Sequence, residues 1–152
     1  MAKAVRLRRR AADDVEAAIG HYLDDAGPEI AGRFIDSVER GRVVLRMPFD
    51  PKLTRIGGTV CGQALMALAD TAMVFTVSSG FGAFRPMTTV NQSTQFMRAI
   101  ANADVIAEGR LLRLGRTMAF GEVRLRADGD DAPAVHVSSA YAILLEPPEK
   151  AA

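Results

Sequence analysis

Ala64-Leu65-Met66-Ala67-Leu68-Ala69-Asp70-Thr71-Ala72-Met73-Val74-Phe75-Thr76-Val77 carries a single carboxylate in an otherwise uncharged, apolar run. Gly57-Gly58-Thr59-Val60-Cys61-Gly62-Gln63 precedes it and Ser78-Ser79-Gly80 follows. A stretch this long and apolar on every side predicts a helix buried inside the domain, not an amphipathic surface helix. A carboxylate placed there loses water, which costs several kcal/mol unless the group is paired, hydrogen-bonded or protonated. Asp70 is therefore either a structural aspartate held by nearby backbone donors or an acid or base at the edge of a substrate channel.

The rest of the chain narrows the class. Its 152 residues suffice for one domain with a proper core, and 49% apolar with 24% charged residues is a globular balance. A net charge of +1 gives no reason to expect nucleic acid or an anionic membrane as the main partner. Asp70 interrupts the best candidate for a membrane span. The arginine-bearing N-terminus lacks the apolar core of a secretory signal. One cysteine cannot form an internal disulfide, and His21 and His136 are too far apart in sequence to suggest a metal cluster. The expectation is a cytoplasmic protein with no bound metal.

Residues 1–10 are basic and read as a solvated tail. Val15, Ala18, Ile19, Tyr22 and Leu23 share one helical face, and Gly27-Pro28 ends that element, a cover for the main domain. Phe34–Val38 and Arg42–Met47 flank Glu39-Arg40-Gly41, a hairpin signal, and Pro48 and Pro51 mark a loop before the apolar helix. Beyond the helix, Met87–Met97, Asp104–Leu114, Met118–Ala127 and Ala134–Leu145 are long, rich in β-formers and separated by turn residues. Ala119, Gly121, Val123 and Leu125 alternate with Phe120, Glu122, Arg124 and Arg126, the pattern of a half-buried strand, and Asp128-Gly129 is a strong hairpin signal. One apolar helix with strands on both sides in sequence predicts an α+β fold, a curved antiparallel sheet wrapped around the helix.

Five stretches in this order resemble the hotdog-fold acyl-CoA thioesterases of the phenylacetate-degradation (PaaI-like) group. They are Gly58-Thr59-Val60-Cys61-Gly62-Gln63-Ala64-Leu65, Leu68-Ala69-Asp70-Thr71-Ala72, Thr88-Thr89-Val90, Phe96-Met97-Arg98 and Gly115-Arg116-Thr117-Met118-Ala119-Phe120. The resemblance covers roughly residues 30 to 145. It divides the chain into a basic tail and covering helix (1–29), a hotdog domain (30–146) and a C-terminal tail (147–152). It implies hydrolysis of an acyl or aryl-acyl coenzyme A thioester without metal or redox cofactor, in a homodimer or a dimer of dimers.

Elementary chemistry fits that implication. A thioester carbonyl is polarised by backbone N–H groups, and the start of a buried helix offers them. Gly62 lies where that helix should begin, and without a side chain it admits a carbonyl to its amide. Asp70 stands about 12 Å further along the axis and on a different angular face, so one helix cannot bring both to one thioester. Two antiparallel helices in a two-fold dimer can, by placing Gly62 of one chain near Asp70 of the other. Asp70 would act as general base on water or as nucleophile.

The chain departs from the family at three places: Cys61-Gly62-Gln63 stands where His-Gly-Gly is common, Arg55 where asparagine often sits, and Ala99 where proline usually follows the arginine. Cys61 is a nucleophile activated by the helix start or a small packing residue. Gln63 either supplies a replacement donor or caps the helix. Thr89 matches a hydroxyl position that in related enzymes helps hold the attacking water; the other reading is an ordinary strand threonine. Arg98, Arg113 and Arg116 are candidates for the phosphates of coenzyme A, or solvated strand-end arginines. Phe96, Gly115 and Thr117 belong with that candidate surface, and the Gly115 turn exposes amides beside Arg116. The same sequence also suits a module that binds acyl-CoA without cleaving it. A hotdog dehydratase or hydratase ranks lower, because neither histidine lies near the central helix.

Overall fold

The computed structural model describes Ile35–Leu145. The expected covering helix, the basic tail, His21, Phe34 and the C-terminal tail lie outside the described residues. Strands β1 (Ile35–Glu39), β2 (Arg42–Met47), β3 (Thr54–Arg55) and β4 (Thr59–Val60) precede the helix α1 (Gly62–Phe81). Strands β5 (Met87–Phe96), β6 (Val105–Leu114), β7 (Met118–Ala127) and β8 (Val135–Ile143) follow it. Six strands form one antiparallel sheet in the order β1-β2-β6-β7-β8-β5, and β3 and β4 form a separate two-stranded ribbon. The sheet curves around α1, which packs on β2, β5, β6 and β7. This is the α+β hotdog architecture that the sequence predicts.

Alternation places the core. Val123 and Leu125 of β7, Val135, Val137 and Tyr141 of β8 and Val43 and Leu45 of β2 point inward against Ala69, Ala72, Met73 and Val77 of α1. Two glycines let helix and sheet approach. A Cβ at Gly109 would collide with the Thr76 hydroxyl, and one at Gly121 would collide with the tip of Met73. Only hydrogen fits at either place.

The structure differs from the sequence expectation in two details. Residues 51–60 are more ordered than a loop: Pro51–Leu53 form a 3₁₀ turn whose cap, Asp50, accepts from the Lys52 amide at 2.9 Å, and β3 and β4 follow. Two-residue strands are too short to show a period. The helix also runs one turn past Val77, through Ser78, Ser79 and Gly80, all buried. Ser79 is compatible with helix here because its Oγ donates to the Thr76 carbonyl at 2.8 Å and accepts from the Gly41 amide at 3.1 Å. Gly82, in the left-handed region (φ 76°), then ends the helix, its N–H donating to the carbonyls of Ser78 and Ser79.

In length and composition α1 would suffice to cross a membrane, but here it is the centre of the fold, with the sheet around it. Its enclosure is uneven. Gln63, Met66, Ala67 and Thr71 are exposed along the first half, one open stripe with Asp70 half-buried beside it. β5, at the sheet edge next to that stripe, is exposed along most of its length.

Candidate functional site

The chain enters α1 through a fixed frame. The Val60 amide donates to the Ile100 carbonyl at 2.8 Å, and the Cys61 amide donates to the Leu53 carbonyl at 2.9 Å. Cys61 is the N-cap but its side chain makes no capping hydrogen bond, and Gln63 is exposed and does not cap the helix. The first amides of the helix, those of Gly62, Gln63 and Ala64, therefore have no intrahelical acceptor. Gly62 sits against the Phe96 ring: a Cβ there would lie 3.2 Å from Phe96 Cζ. Around this helix start opens a cleft of about 470 Å³, lined by Arg55, Thr59, Gly62, Leu65, Phe96 and Arg98, among others.

Two turns on, Asp70 meets two hydroxyls. Thr89 Oγ1 donates to Asp70 Oδ1 at 3.0 Å, and the Tyr141 hydroxyl donates to the same Oδ1. The Tyr141 hydroxyl also donates to the Asp70 backbone carbonyl at 3.2 Å. Sheet register makes this meeting possible: Thr89 of β5 pairs directly with Tyr141 of β8. β5 runs antiparallel to α1, so Phe96 reaches Gly62, Gln92 Nε2 donates to the Met66 carbonyl at 3.1 Å, and Thr89 reaches Asp70.

The candidate residues fall into groups. Asp70 with Thr89 forms one, and Gly62, Gln63 and Cys61 with Phe96 and Arg98 form another at the helix start. Arg98 is already engaged, donating to the Ala132 carbonyl at 2.8 Å and lying 3.9 Å from Asp130. Arg113, Gly115, Arg116 and Thr117 lie elsewhere, at the β6–β7 connection. There the Gly115 amide bonds the Met118 carbonyl and the Thr117 carbonyl accepts from Ile143. Leu111 and Leu114, just before that connection, crowd Gly80 near the end of α1. Gly80 is about 27 Å along the axis from Gly62. Within one chain, then, the two parts of the expected coenzyme A surface lie at opposite ends of the helix.

Tyr141 was not among the residues singled out from sequence. An aromatic residue alternating inward on a strand is ordinary core, and its pairing with Thr89 depends on register. Two other carboxylates with charged partners, Glu122 and Glu108, belong to ion pairs on the sheet. His136 lies 3.0 Å from Glu122, and its hydrogen bond, more than the opposing effect of burial, holds the Glu122 carboxyl below its ordinary value. Burial pushes Glu108 up, but hydrogen bonds from Arg42 and Arg110 together outweigh it and leave Glu108 lowered. No cluster suited to a metal ion occurs among the described residues.

Comparison with known proteins adds a family. Residues 57–134 match the sequence model of the thioesterase superfamily. A Halobacterium salinarum protein provisionally named an esterase is 31% identical over 131 residues, covering 81% of this chain and 85% of its own. A provisionally named thioesterase from Silicibacter sp. TM1040 has a crystal structure that aligns with 86% of this chain and 92% of its own. It is 33% identical with a TM-score of 0.72. The PaaI protein of the E. coli phenylacetic acid degradation operon shares the fold, with a TM-score of 0.75 over 91% of this chain and 96% of its own at 18% identity. The chain belongs to the thioesterase superfamily.

Proposed function

We propose that this member of the thioesterase superfamily hydrolyses an acyl or aryl-acyl coenzyme A thioester to the free acid and coenzyme A, acting in the cytoplasm as a homodimer or a dimer of dimers. The observation that carries the reading is Asp70, a half-buried carboxylate held by the hydroxyls of Thr89 and Tyr141 beside the open stripe of α1.

In this reading the unpaired amides at Gly62 polarise the thioester carbonyl and stabilise the oxyanion. Asp70 takes a proton from water as the water oxygen attacks the carbonyl carbon, or attacks that carbon itself. Collapse of the tetrahedral intermediate breaks the C–S bond. On the general-base route the thiolate takes the proton that Asp70 removed from water. On the nucleophilic route it takes a proton from solvent and leaves a mixed anhydride on Asp70, which water then cleaves to the free acid, restoring the carboxylate. No metal or redox cofactor is required. Gly62 and Asp70 stand about 12 Å apart along one helix, so each site takes its amides from one chain and its carboxylate from the other. The exposed stripe of α1 and the neighbouring edge of β5 suit that contact. Antiparallel helices also bring the far end of one α1, with Arg113, Gly115, Arg116 and Thr117, toward the Gly62 cleft of the partner. Arginines on both sides would then meet the phosphates of coenzyme A.

A second reading is a module that holds acyl-CoA without cleaving it. It is favoured by Cys61, which brings no histidine to the helix start, while His136 is paired with Glu122. A thiol-release screen across short, long and aromatic acyl-CoAs, run beside a binding assay, separates the two. Free coenzyme A from at least one substrate is the expected result; binding without thiol release would establish the module instead.

A further inference from the structure

We propose that Tyr141 is a positioning residue for Asp70, acting with Thr89 to load Oδ1 and so reserve Oδ2 as the oxygen that performs the chemistry; the proposal rests on the hydrolytic reading above. Tyr141 is buried, with 1% of its surface exposed, and a buried phenol must find an acceptor. A backbone carbonyl would suffice for that purpose. Here the hydroxyl reaches both the Asp70 carbonyl and the Asp70 carboxylate, tying one turn of α1 and its side chain to β8.

The terminal torsion of an aspartate is broad and soft, so an unaided carboxylate presents either oxygen in many orientations. Two donors from two neighbouring strands, Thr89 on β5 and Tyr141 on β8, converge on Oδ1 and remove that freedom. No donor among the described residues reaches Oδ2. The carboxylate therefore presents one defined oxygen to a substrate, the preorganisation that rate enhancement by a fixed group requires.

Tyr141→Phe keeps the ring and removes only the donor. A packing role for Tyr141 predicts no change in turnover. Positioning predicts that kcat falls roughly 10- to 100-fold, the worth of a hydrogen bond to a charged group, while KM stays near the wild-type value. The same substitution made in an Asp70→Asn background should cause no further loss, because the group being positioned is gone. Wild-type kcat in Tyr141→Phe beside a dead Asp70→Asn overturns the proposal and leaves the hydrolytic reading standing. An active Asp70→Asn overturns the reading itself. If Tyr141→Phe does not fold, 3-fluorotyrosine can be incorporated in a Tyr22→Phe chain, whose only remaining tyrosine is Tyr141. Its more acidic phenol draws charge from the carboxylate, so kcat should fall, with no effect on the residual rate of Asp70→Asn. Unchanged kcat in the fluorinated protein overturns the proposal.

Discussion

From Ala72 to Gly80 every residue of α1 except Val74 is buried, whereas between Gly62 and Thr71 four residues are exposed on one side. In the enclosed half two hydroxyls are taken up within the fold, Thr76 Oγ1 donating to the Ala72 carbonyl at 2.7 Å and Ser79 joining the helix to the Gly41 turn, while the buried Ser78 hydroxyl has no partner among the described residues. The open half holds amides without acceptors and a carboxylate bonded to the sheet. One helix thus divides its labour along its length. Its second half is enclosed by the sheet, and its first half leaves polar groups open on the side where the proposed substrate and second subunit would meet them.

The largest expected effect falls on the open half. Asp70→Asn should lower kcat by roughly 10²- to 10⁴-fold, the range that loss of a general base covers, while the melting curve stays close to wild type. Near-wild-type turnover would break the division just drawn, because the open half would then carry no chemistry.

Mixing two damaged proteins sharpens it. Gly62→Val places a branched side chain against the Phe96 ring and blocks the amides, so it must first be shown to fold and dimerise. Mixed with Asp70→Asn and allowed to exchange subunits, it should form heterodimers with one doubly damaged site and one intact site. The random mixture should regain roughly a quarter of full activity if sites act independently. No recovery despite measured exchange would mean that both groups serve the same chain's site, or that one of them takes no part in the chemistry.

The enclosed half should respond in the opposite currency. Gly109→Ala drives a methyl into Thr76 and should cost about 1–3 kcal/mol in a urea titration, with kcat per folded molecule unchanged. A loss of turnover without a loss of stability would contradict that assignment.

The smallest effect lies outside the helix. Arg46 gathers Asp36, Asp104 and Asp128 at 3.1, 3.2 and 2.7 Å, and its hydrogen bond holds the Asp128 carboxyl below its ordinary range. A lowered carboxylate stabilises the fold above its unfolded pKa, and that contribution is lost as pH falls through the folded value. Arg46→Ala should therefore melt slightly below wild type at neutral pH, and the gap should close in strong acid. A gap that persisted at low pH would mean that Arg46 acts by packing instead of charge.

Much of this was readable from residues alone. Period-two alternation located the long strands, and the run around the isolated Asp70 marked the central helix and, on it, the candidate site. The ribbon at residues 54–60 was not readable, because two residues carry no period. Tyr141 was invisible for a different reason: nothing local in its strand distinguishes it, and its meeting with Asp70 is set by the Thr89–Tyr141 register. Register likewise hid the separation of Arg98 from Arg116, which follows from β5 and β6 running in opposite senses beside α1.

The pairing of β5 with β8, across the whole of the β6–β7 hairpin in sequence, has a consequence for biosynthesis. On the ribosome β5 emerges with no neighbour and waits while β6 and β7 are made, its long-range partner being the last described strand. Thr89 has no fixed place and Asp70 lacks its phenol until β8 docks. A chain released before residue 135 would hold the helix and most of the sheet yet present no ordered carboxylate. Termination before that point would leave a fragment with an unpaired β5 edge, and the carboxylate would gain its two hydroxyl partners only once β8 has docked.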